Sequence, residues 1–522
     1  MRYDSGLSLL AWGFVCLLLS TACTSEITST TSPTDSGHSQ LIRNVSIVDG
    51  SGKPAFMGSV RIKDNMIVAV GEIEPVQGDI IIDGGGQTLA PGFIDTHSHY
   101  DWDLDRSPEV VAAVSQGVTT VVIGVDGASG HSMSDLKGML ENNPPDLNVA
   151  SYTGHGTLRS RVMGGDYKRE ATAVEIEEMA KLLRQELRNG SLGLSTGLEY
   201  DPGIYSNTQE VISLAKVSAT EGGRYVSHMR SEDRYFNDAL EELLRVGREA
   251  NLPVQISHFK LAAVDLWGQA ARVIRRLQQA RSEGIDVTAD IYPYTYWQST
   301  LTVLLPDRDF HDLDAARYAL EHLAPAEGLT LVNYAPEPEL AGKTVAEVAT
   351  ARGLSNEETY LQLIRDAYKG ISDDDMAEME ESPEGVMGVS MSEEDIAVLL
   401  AWPYSNICSD GYGEGHPRGH GAFPRAIRQF VREQRVVSIE EMVRKMTSLA
   451  AANVGIAGRG LVKAGYIADL VLLNPSIITD RATIKNPKQL AEGVSAVWVN
   501  GDRVWSDQQV TNAHPGVLIS RL

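Results

Sequence analysis

Two histidines separated by one residue, His97 and His99, follow a short apolar segment in the run LAPGFIDTHSHYDWD. An apolar segment of this length, preceded by glycine, predicts a β-strand. Because alternate residues of a strand point the same way, both imidazoles can face one metal ion. The pair alone is weak evidence, since two satisfied polar histidines would show the same spacing. Its value depends on whether other ligands reach the same place.

Three further candidate ligands stand at the ends of other strand-like segments. His228 lies in YVSHMR, His258 in QISHFK and Asp410 in CSDG. Imidazole and carboxylate groups bind Zn²⁺ and similar metals in hydrolytic sites. Four histidines and one acid at strand ends therefore predict a site for one or two divalent metal ions, with Zn²⁺ as the expected cofactor.

The elements that carry these residues alternate between strand-like and helix-like segments. Eight strands can be counted: GFIDTHSHY, GVTTVVIGVDG, NVASYTGHG, LGLSTGLEY, RYVSHMR, PVQISHFK, IDVTADIYPY and SNICSDG. Helical patterns such as AVEIEEMAKLLRQELRNG and DLWGQAARVIRRLQQARSEG separate several of them. Eight βα units predict an α/β fold, a (β/α)8 TIM-type barrel over residues 91–460, with functional residues at the C-terminal ends of the strands.

One connection breaks this alternation. About residues 306–402, between strands seven and eight, form a link far longer than usual and include the acidic run ISDDDMAEMEESPEG. Two interpretations remain open, a lid over the active site and a solvated surface insertion.

Short alternating segments flank the barrel on both sides. LIRNVSIVDG and SVRIKDNMIVAVG precede it, and YIADLVLLN and VSAVWVNGDRVW follow it. Their period of two and their Asp/Gly turns predict β-strands. We expect residues 41–90 and 461–522 to form one small β-sandwich domain with the barrel inserted between its halves.

The N-terminus predicts a targeting segment. Residues 1–23 combine an early Arg, an apolar run from Leu9 to Leu19 and the ending Leu-Ser-Thr-Ala-Cys, which favours a lipoprotein signal peptide with lipidation at Cys23. An ordinary signal peptide with an incidental Cys is the alternative. Residues 24–40 are rich in Ser and Thr, as a flexible tether is. We therefore expect secretion across the inner membrane and a lipid anchor in the periplasm or at the outer membrane.

Charge and cysteine content exclude other classes of site. The formal net charge is −25 over 522 residues, which argues against nucleic acid as a partner because phosphate binding needs basic patches. We expect a small-molecule substrate instead. Cys16 leaves with the signal peptide and Cys23 carries lipid, so only Cys408 remains in the body and no intrachain disulfide is expected.

The motifs taken together resemble the amidohydrolase superfamily and, within it, the N-acyl-D-amino acid deacylases, or D-aminoacylases. The resemblance covers about residues 42–510. It rests on APGFIDTHSHYD, GLSTGLEYDPG, YVSHMRSE, ISHFK, SDGYGEGHPRGHGAFPR and RGLVKAGYIADLVLLNP. The block HPRGHGAFPR is the most specific to the deacylases, whereas the HxH and ADLVLL segments occur across the superfamily.

The resemblance implies a role for each matching residue. His97 and His99 match ligands of one metal, His228 and His258 match ligands of a second, and Asp410 matches the catalytic acid/base. The groups that match those binding the substrate carboxylate are Lys260, Tyr292 and Arg418. A carboxylate in a closed pocket favours a bidentate Arg or a Lys. Tyr292 has an alternative as packed core, with Tyr294 in its place.

The chain departs from the family at one ligand. Familiar D-aminoacylases carry a Cys ligand in a GNCG motif, whereas this chain reads Gly-Val-Asp126-Gly there. A different anion must complete the site. Glu199, at the end of strand four, is the favoured bridging ligand and Asp126 the second candidate. The absence of Lys in LSTGLEY argues against a carboxylated lysine at that strand end, and so against a hydantoinase or dihydroorotase.

The resemblance implies a metal-dependent amidohydrolase that cleaves N-acyl amino acids, expected to be of D configuration, to a carboxylate and a free amino acid. Zinc would activate a water, whose proton Asp410 accepts and then delivers to the leaving amine. A dipeptidase for D-residue or isoaspartyl peptides is one alternative. A lipid-anchored, non-catalytic binding protein is another, although a decayed site has no reason to keep the complete ligand set.

Several other polar residues have open roles. His155, in TGHG, can bind the substrate oxyanion or cap the top of the barrel. His416 and His420 are expected to structure the loop after Asp410. Asp290 is expected to orient a neighbour, and Cys408 is expected to be barrel packing because no base stands beside it.

Overall fold

The structure, a computed structural model, describes residues 39–102, 104, 106–107, 110–305, 307–371, 382–412 and 415–521. The predicted signal peptide, its Cys23 and residues 24–38 of the predicted tether lie outside the described residues. Across these ranges, no helix is both long and apolar enough to cross a membrane. The first strand begins at Ser39, so the last two residues of the predicted tether belong to a sheet.

The described residues begin with five strands. They are β1 (Ser39–Ile47), β2 (Phe56–Lys63), β3 (Met66–Gly71), β4 (Asp79–Asp83) and β5 (Thr88–Pro91). β1 runs antiparallel to β2 and parallel to β4 and β5. Their alternating pattern directs Ile42, Val60 and Leu89 into one apolar cluster.

The barrel contains eight parallel strands, of which the third is interrupted at Tyr152. They are β6 (Phe93–Asp95), β7 (Val118–Ile123), β8 (Asn148–Ser151) continued by β9 (Thr153–Gly154), β10 (Gly193–Gly197), β11 (Arg224–His228), β12 (Val254–Ile256), β13 (Val287–Ile291) and β17 (Ser405–Ile407). The Leu192 N–H donates to Ser151 O across 2.9 Å and links strands three and four. The Asp410 N–H donates to His97 O across 2.8 Å and joins the ends of strands eight and one. The predicted TIM-type barrel is confirmed.

Helices cover the outside of the barrel. The first seven are α1 (Val111–Val114), α2 (Met133–Asn142), α3 (His155–Met163), α4 (Ala173–Arg188), α5 (Thr208–Thr220), α6 (Phe236–Ala250) and α7 (Ala270–Ser282). α4 begins at a capping box, in which Thr172 and Glu175 each accept a hydrogen bond from the other's backbone N–H. α4 and α7 lie within the two segments whose apolar period predicts helices.

The long connection between β13 and β17 has a sheet and helices of its own. β14 (Tyr296–Ser299), β15 (Leu329–Tyr334) and β16 (Glu384–Val389) form an antiparallel sheet in the order β14-β16-β15. The described residues between β14 and β16 include three α-helices, α8 (Leu313–Tyr318), α9 (Val345–Arg352) and α10 (Asn356–Ala367). The insertion therefore starts at Tyr296, before the predicted boundary at residue 306. α11 (Glu393–Ala401) leads into β17.

The last segment returns to the terminal sheet. After α12 (Arg418–Arg425), α13 (Ile439–Met446) and α14 (Ser448–Val454) come β18 (Leu470–Leu473), β19 (Val494–Val499), β20 (Asp502–Ser506) and β21 (Gln509–Val510). β18 pairs antiparallel with β5, so both chain ends build one nine-stranded sheet. Because the described residues from Ser39 onward form a single unit by their contacts, a separate β-sandwich domain stays a prediction.

Candidate metal centre

His97 and His99 lie directly after β6, where the barrel closes. The His99 N–H donates to Gly411 O across 2.9 Å, which holds the histidine pair beside the end of strand eight. Asp410 Oδ1 lies 3.3 Å from His99 Nε2 and 3.6 Å from His97 Nε2. The two histidines and the predicted acid/base therefore share one site.

Asp126 reaches this site from the loop after β7. Its Oδ2 lies 3.2 Å from His97 Nε2 and 3.4 Å from His99 Nε2, and its Oδ1 lies 3.2 Å from His258 Nε2. The backbone of Asp126 has a φ of 53°, in the left-handed region. A Cβ at Gly197 of β10 would lie 2.1 Å from Asp126 O, so this close approach requires glycine. Asp126 consequently faces both groups of histidines.

His228 and His258 form the second group, at the ends of strands five and six. His228 Nδ1 lies 3.0 Å from His258 Nε2, and both side chains are buried. Ligand atoms of Asp126, His228 and His258 lie within 4.8 Å of one another, as do those of His97, His99, Asp126 and Asp410. Asp126 belongs to both sets, which suits a carboxylate shared by two metal positions.

Glu199 lies on the far side of His228. Its Oε2 is 2.8 Å from His228 Nε2, the ring nitrogen that points away from His258. Burial raises the pKa of Glu199, against the effect of the neighbouring imidazole. This geometry suits a carboxylate that orients His228 and favours Asp126, the second candidate from the sequence, as the group between the two histidine pairs.

The electrostatics of the cluster fit a bound cation. Burial lowers the pKa of His99, but Asp126 and Asp410 outweigh it and raise that pKa to about 10. Burial raises the pKa of Asp126, but His97 and His258 outweigh it and hold that carboxyl well below its usual range. The carboxylates thus demand positive charge beside them. A divalent metal supplies that charge when the imidazoles are neutral, so the residues present fit such an ion.

The predicted substrate-binding groups lie together above Asp410. Arg418 Nη1 is 2.7 Å from Asp410 Oδ2, and its guanidinium carbon is 4.7 Å from the centre of the Tyr292 ring. Lys260 Nζ lies 5.6 Å from the same ring centre. The buried Tyr292 hydroxyl has no hydrogen-bond partner within the described part of the chain. The structure therefore brings together all three predicted groups, and Tyr292 rather than Tyr294 faces them.

His155 lies elsewhere. Its side chain is completely buried, and its Nε2 is 2.8 Å from Glu210 Oε1. Arg159 Nη1 donates to both oxygens of the same carboxylate across 2.7 Å. His155 is absent from the described residues that line the cavity at the barrel mouth. The predicted substrate contact is therefore not seen, and this buried ion-pair network favours the alternative interpretation, a cap on the barrel.

The remaining predictions concern neighbours of the site. His416 Nδ1 accepts from the Arg418 N–H across 3.0 Å, and its Nε2 lies 3.0 Å from Tyr296 O, which fits a loop-structuring residue. His420 is buried in α12. Asp290 Oδ1 accepts the His258 N–H across 2.5 Å and so positions that strand end. Cys408 is buried, and burial raises its thiol pKa well above the usual value, as packing implies.

A cavity of about 1500 Å³ opens onto these residues. The insertion contributes part of its wall through Trp297, Gln298, Val303, Leu304, Asn333 and Glu384. The insertion is therefore part of the pocket and not only a solvated surface element. Glu232, which is not among the residues predicted from the sequence, also lines the cavity. Its signal was its place in YVSHMRSE, four residues after His228.

The family comparison covers every candidate ligand. The model of the Amidohydrolase family matches residues 81–319 and 407–505. This chain belongs to the amidohydrolase family. The resemblance inferred from the motifs is thus confirmed, and the two matched ranges contain both halves of the metal cluster.

Several known relatives of this amidohydrolase are deacylases. Over 508 residues it is 33% identical to a D-aminoacylase of Alcaligenes xylosoxydans xylosoxydans, with 92% of this chain and 97% of the relative covered. Over 508 residues it is 34% identical to an N-acyl-D-aspartate deacylase of the same organism, with 92% and 94% covered. Its structure is similar to that of N-acyl-D-glutamate deacylase from Bordetella bronchiseptica, solved with zinc and a phosphonate inhibitor. That match has a TM-score of 0.80 and 29% identity, and it covers 92% of this chain and 99% of the other.

Proposed function

We propose that this amidohydrolase cleaves the amide bond of N-acyl amino acids of D configuration, releasing a carboxylate and a free amino acid. The observation that carries the proposal is the position of Asp410, whose oxygens face the histidine pair on one side and Arg418 on the other. A proton-accepting group thus lies between a metal site and a cation suited to a substrate carboxylate. The D-aminoacylase and N-acyl-D-aspartate deacylase relatives support this substrate class.

The proposed cofactor is Zn²⁺, one or two ions, held by His97, His99, His228, His258, Asp126 and Asp410. When bound there, zinc lowers the pKa of a water molecule and polarises a carbonyl oxygen. Asp126 is the proposed shared ligand because its two oxygens face different histidines. Glu199 is proposed to accept the His228 Nε2–H and so to fix the orientation of that ring.

The chain's own residues then divide the remaining work. Asp410 accepts the proton of the attacking water and delivers it to the leaving amine. Arg418 and Lys260 hold the substrate carboxylate, and Tyr292 donates its unpartnered hydroxyl to it. Since a carboxylate fixed by several donors has one orientation, the configuration at the substrate α-carbon decides whether the amide reaches Asp410.

A matched substrate panel tests the proposal. Purified, zinc-loaded protein is assayed on N-acetyl-D and N-acetyl-L forms of the same amino acids, including aspartate, glutamate, methionine and leucine. Hydrolysis of D substrates with little activity on L substrates is expected. Activity restricted to L substrates would overturn the D preference and leave the hydrolase assignment intact. No hydrolysis and no bound zinc would favour a non-catalytic binding protein.

Dipeptidase activity is the second candidate, because the cavity is large. Its volume of about 1500 Å³ exceeds the roughly 300–1,000 Å³ usual for small-molecule pockets. D-residue and isoaspartyl dipeptides present the same carboxylate beside a bulkier acyl group. Comparing kcat/KM for N-acetyl-D-amino acids and for dipeptides with the same C-terminal residue separates the two activities.

We also propose that the chain is exported and lipid-anchored through Cys23. The proposal rests on the apolar run from Leu9 to Leu19, on the Ala22-Cys23 pair shortly after it and on the Ser/Thr-rich tether that follows. Fractionation of a bacterial host that expresses the full chain should find it in membranes. A Cys23→Ser chain that stays equally in membranes would contradict lipidation at that residue.

A further inference from the structure

Glu232 lies between the second histidine group and the substrate-binding lysine. Its Oε1 is 3.0 Å from His258 Nδ1, and its Oε2 is 2.6 Å from Lys260 Nζ. The same Oε2 lies 3.8 Å from His228 Nε2. The Glu232 side chain is 8% exposed, so its contacts are shielded from water. This one carboxylate therefore contacts a candidate metal ligand and a candidate substrate ligand.

Lys260 and His258 are so close that a protonated Lys260 can oppose metal binding by His258. Lys260 Nζ lies only 2.7 Å from His258 Nδ1. An imidazole that binds a metal through Nε2 carries its proton on Nδ1, and that nitrogen can no longer accept a hydrogen bond. Two donors would then face each other at hydrogen-bond distance, and the ammonium charge would lie beside a metal-bound ring. Both effects oppose metal binding at His258.

Resting on the function proposed above, we propose that Glu232 is a positioning residue that makes metal binding by His258 compatible with a charged Lys260. One oxygen accepts the His258 Nδ1–H, and the other accepts from the ammonium group. The hydrogen-bond capacity of Lys260 that remains is directed to the substrate carboxylate. The Glu232 side chain thus couples the metal affinity of His258 to the orientation of Lys260 toward the substrate carboxylate.

A role for Glu232 as a metal ligand fits the contacts less well. Its Oε1 faces Nδ1 of His258, the ring nitrogen opposite the one that faces Asp126. Its Oε2 is already neutralised by Lys260 at 2.6 Å. Burial raises the pKa of Glu232, but Lys260, His228 and His258 outweigh it and keep the carboxyl ionised. Among the described residues Oε1 is buried and has no hydrogen-bond partner, although it lies 3.0 Å from His258 Nδ1, so it is free to accept a proton carried on that nitrogen.

The test measures zinc affinity, by chelator competition on the purified full chain, for four proteins. These are the wild type, Glu232→Gln, Lys260→Met and the double variant. Glu232→Gln should weaken zinc binding by about 10- to 100-fold. Lys260→Met should change it by less than about threefold while raising KM, since the substrate contact is lost. In the double variant zinc affinity should return to within about threefold of Lys260→Met, because no ammonium then faces His258.

The matched control is Glu242→Gln. Glu242 lies in α6, and its shielded carboxylate pairs with Arg230 at 2.8 Å. Glu242 is absent from the described cavity lining. The Glu242→Gln variant should keep wild-type zinc affinity. Glu232→Asp is a second test variant, because its shorter side chain cannot reach both partners. The zinc affinity of Glu232→Asp should lie between those of wild type and Glu232→Gln.

Five outcomes test the inference. Glu232→Gln with zinc affinity within about twofold of wild type would overturn the inference. A double variant as weak as Glu232→Gln would also overturn it, since the loss would then be independent of Lys260. If Glu232→Gln alone fails to fold and the double variant folds and binds zinc, the inference is supported; if neither folds, Glu232 is structural and the inference falls. Wild-type protein that binds no zinc overturns the proposed function and this inference together.

Discussion

Arg418 donates from Nη1 to Asp410 Oδ2 across 2.7 Å, and both side chains are largely shielded from water. Burial raises the pKa of Asp410, but Arg418, with His258 and His99, outweighs it and holds that carboxyl well below its usual range. The proposed general base is therefore kept ionised by the same residue that is proposed to bind the substrate.

Replacing Arg418 should therefore alter both binding and pH dependence. In Arg418→Met, KM should rise about 10- to 100-fold, because a charged hydrogen-bond partner of the substrate carboxylate is lost. The Asp410 pKa should rise, so the acidic limb of the kcat/KM profile should move to higher pH. Arg425→Met is the control, since Arg425 of the same helix pairs with Asp480 instead. An unchanged KM would contradict substrate contact by Arg418.

Asp410→Asn should lower kcat by about 10²- to 10⁴-fold, because an amide of the same shape cannot accept the proton of water. KM should stay close to wild type. Metal content is measured on the same sample by elemental analysis. Near-normal turnover with normal metal content would show that Asp410 is not the acid/base.

The choice between Asp126 and Glu199 can be made by metal analysis. Asp126→Ala should lose most of its bound zinc, because Asp126 is the carboxylate that faces both histidine groups. Glu199→Gln should retain zinc with about tenfold lower affinity, as expected for an orienting partner. The reverse pattern would restore Glu199 as the bridging ligand favoured from the sequence.

His155→Ala should lower stability and leave substrate binding unchanged. Its Nε2 is paired with Glu210 in a buried network, so its removal should cost about 1–3 kcal/mol. Thermal unfolding and KM are measured on the same variant. A raised KM without a fall in melting temperature would instead support the predicted substrate contact.

Glu384, in the cavity wall, should make stability depend on pH. Burial raises its pKa from 4.5 to about 7, although its oxygens accept the Leu301 N–H. Below pH 4.5 the carboxyl is protonated in both states. Between 4.5 and about 7 only the folded state holds the proton, so the free energy of unfolding should fall as pH rises through this window.

Glu384→Gln removes this titration while keeping an oxygen that can accept the Leu301 N–H. The free energy of unfolding of the variant, relative to that of wild type, should therefore increase by about 1–3 kcal/mol from pH 5 to pH 8. Denaturant unfolding at both pH values measures the difference. Parallel pH curves for the two proteins would show that Glu384 titrates normally.

The local pattern of the chain was enough to predict the barrel and to select most of the candidate residues that the structure brings together. The local sequence predicts the period and the number of the strands. It also places five candidate ligands at strand ends: His97, His99, His228, His258 and Asp410. The C-terminal ends of parallel barrel strands meet at one rim, so residues at those ends converge whatever their separation along the chain. The family motifs added Lys260, Tyr292 and Arg418 as candidate substrate-binding residues.

Distances between strands depend on barrel closure and on side-chain direction, which the linear pattern does not contain. Asp126 and Glu199 both follow the ends of strands. In the fold, the left-handed backbone conformation of Asp126 places its carboxylate beside both histidine groups, whereas Glu199 lies on the far side of His228. His155 also ends a strand, but its ring turns outward to Glu210. Glu232 acquires its contacts with His258 and Lys260 only because strands five and six are neighbours. The sequence by itself determined which residues reach the rim, and the tertiary structure decided which of them face one another.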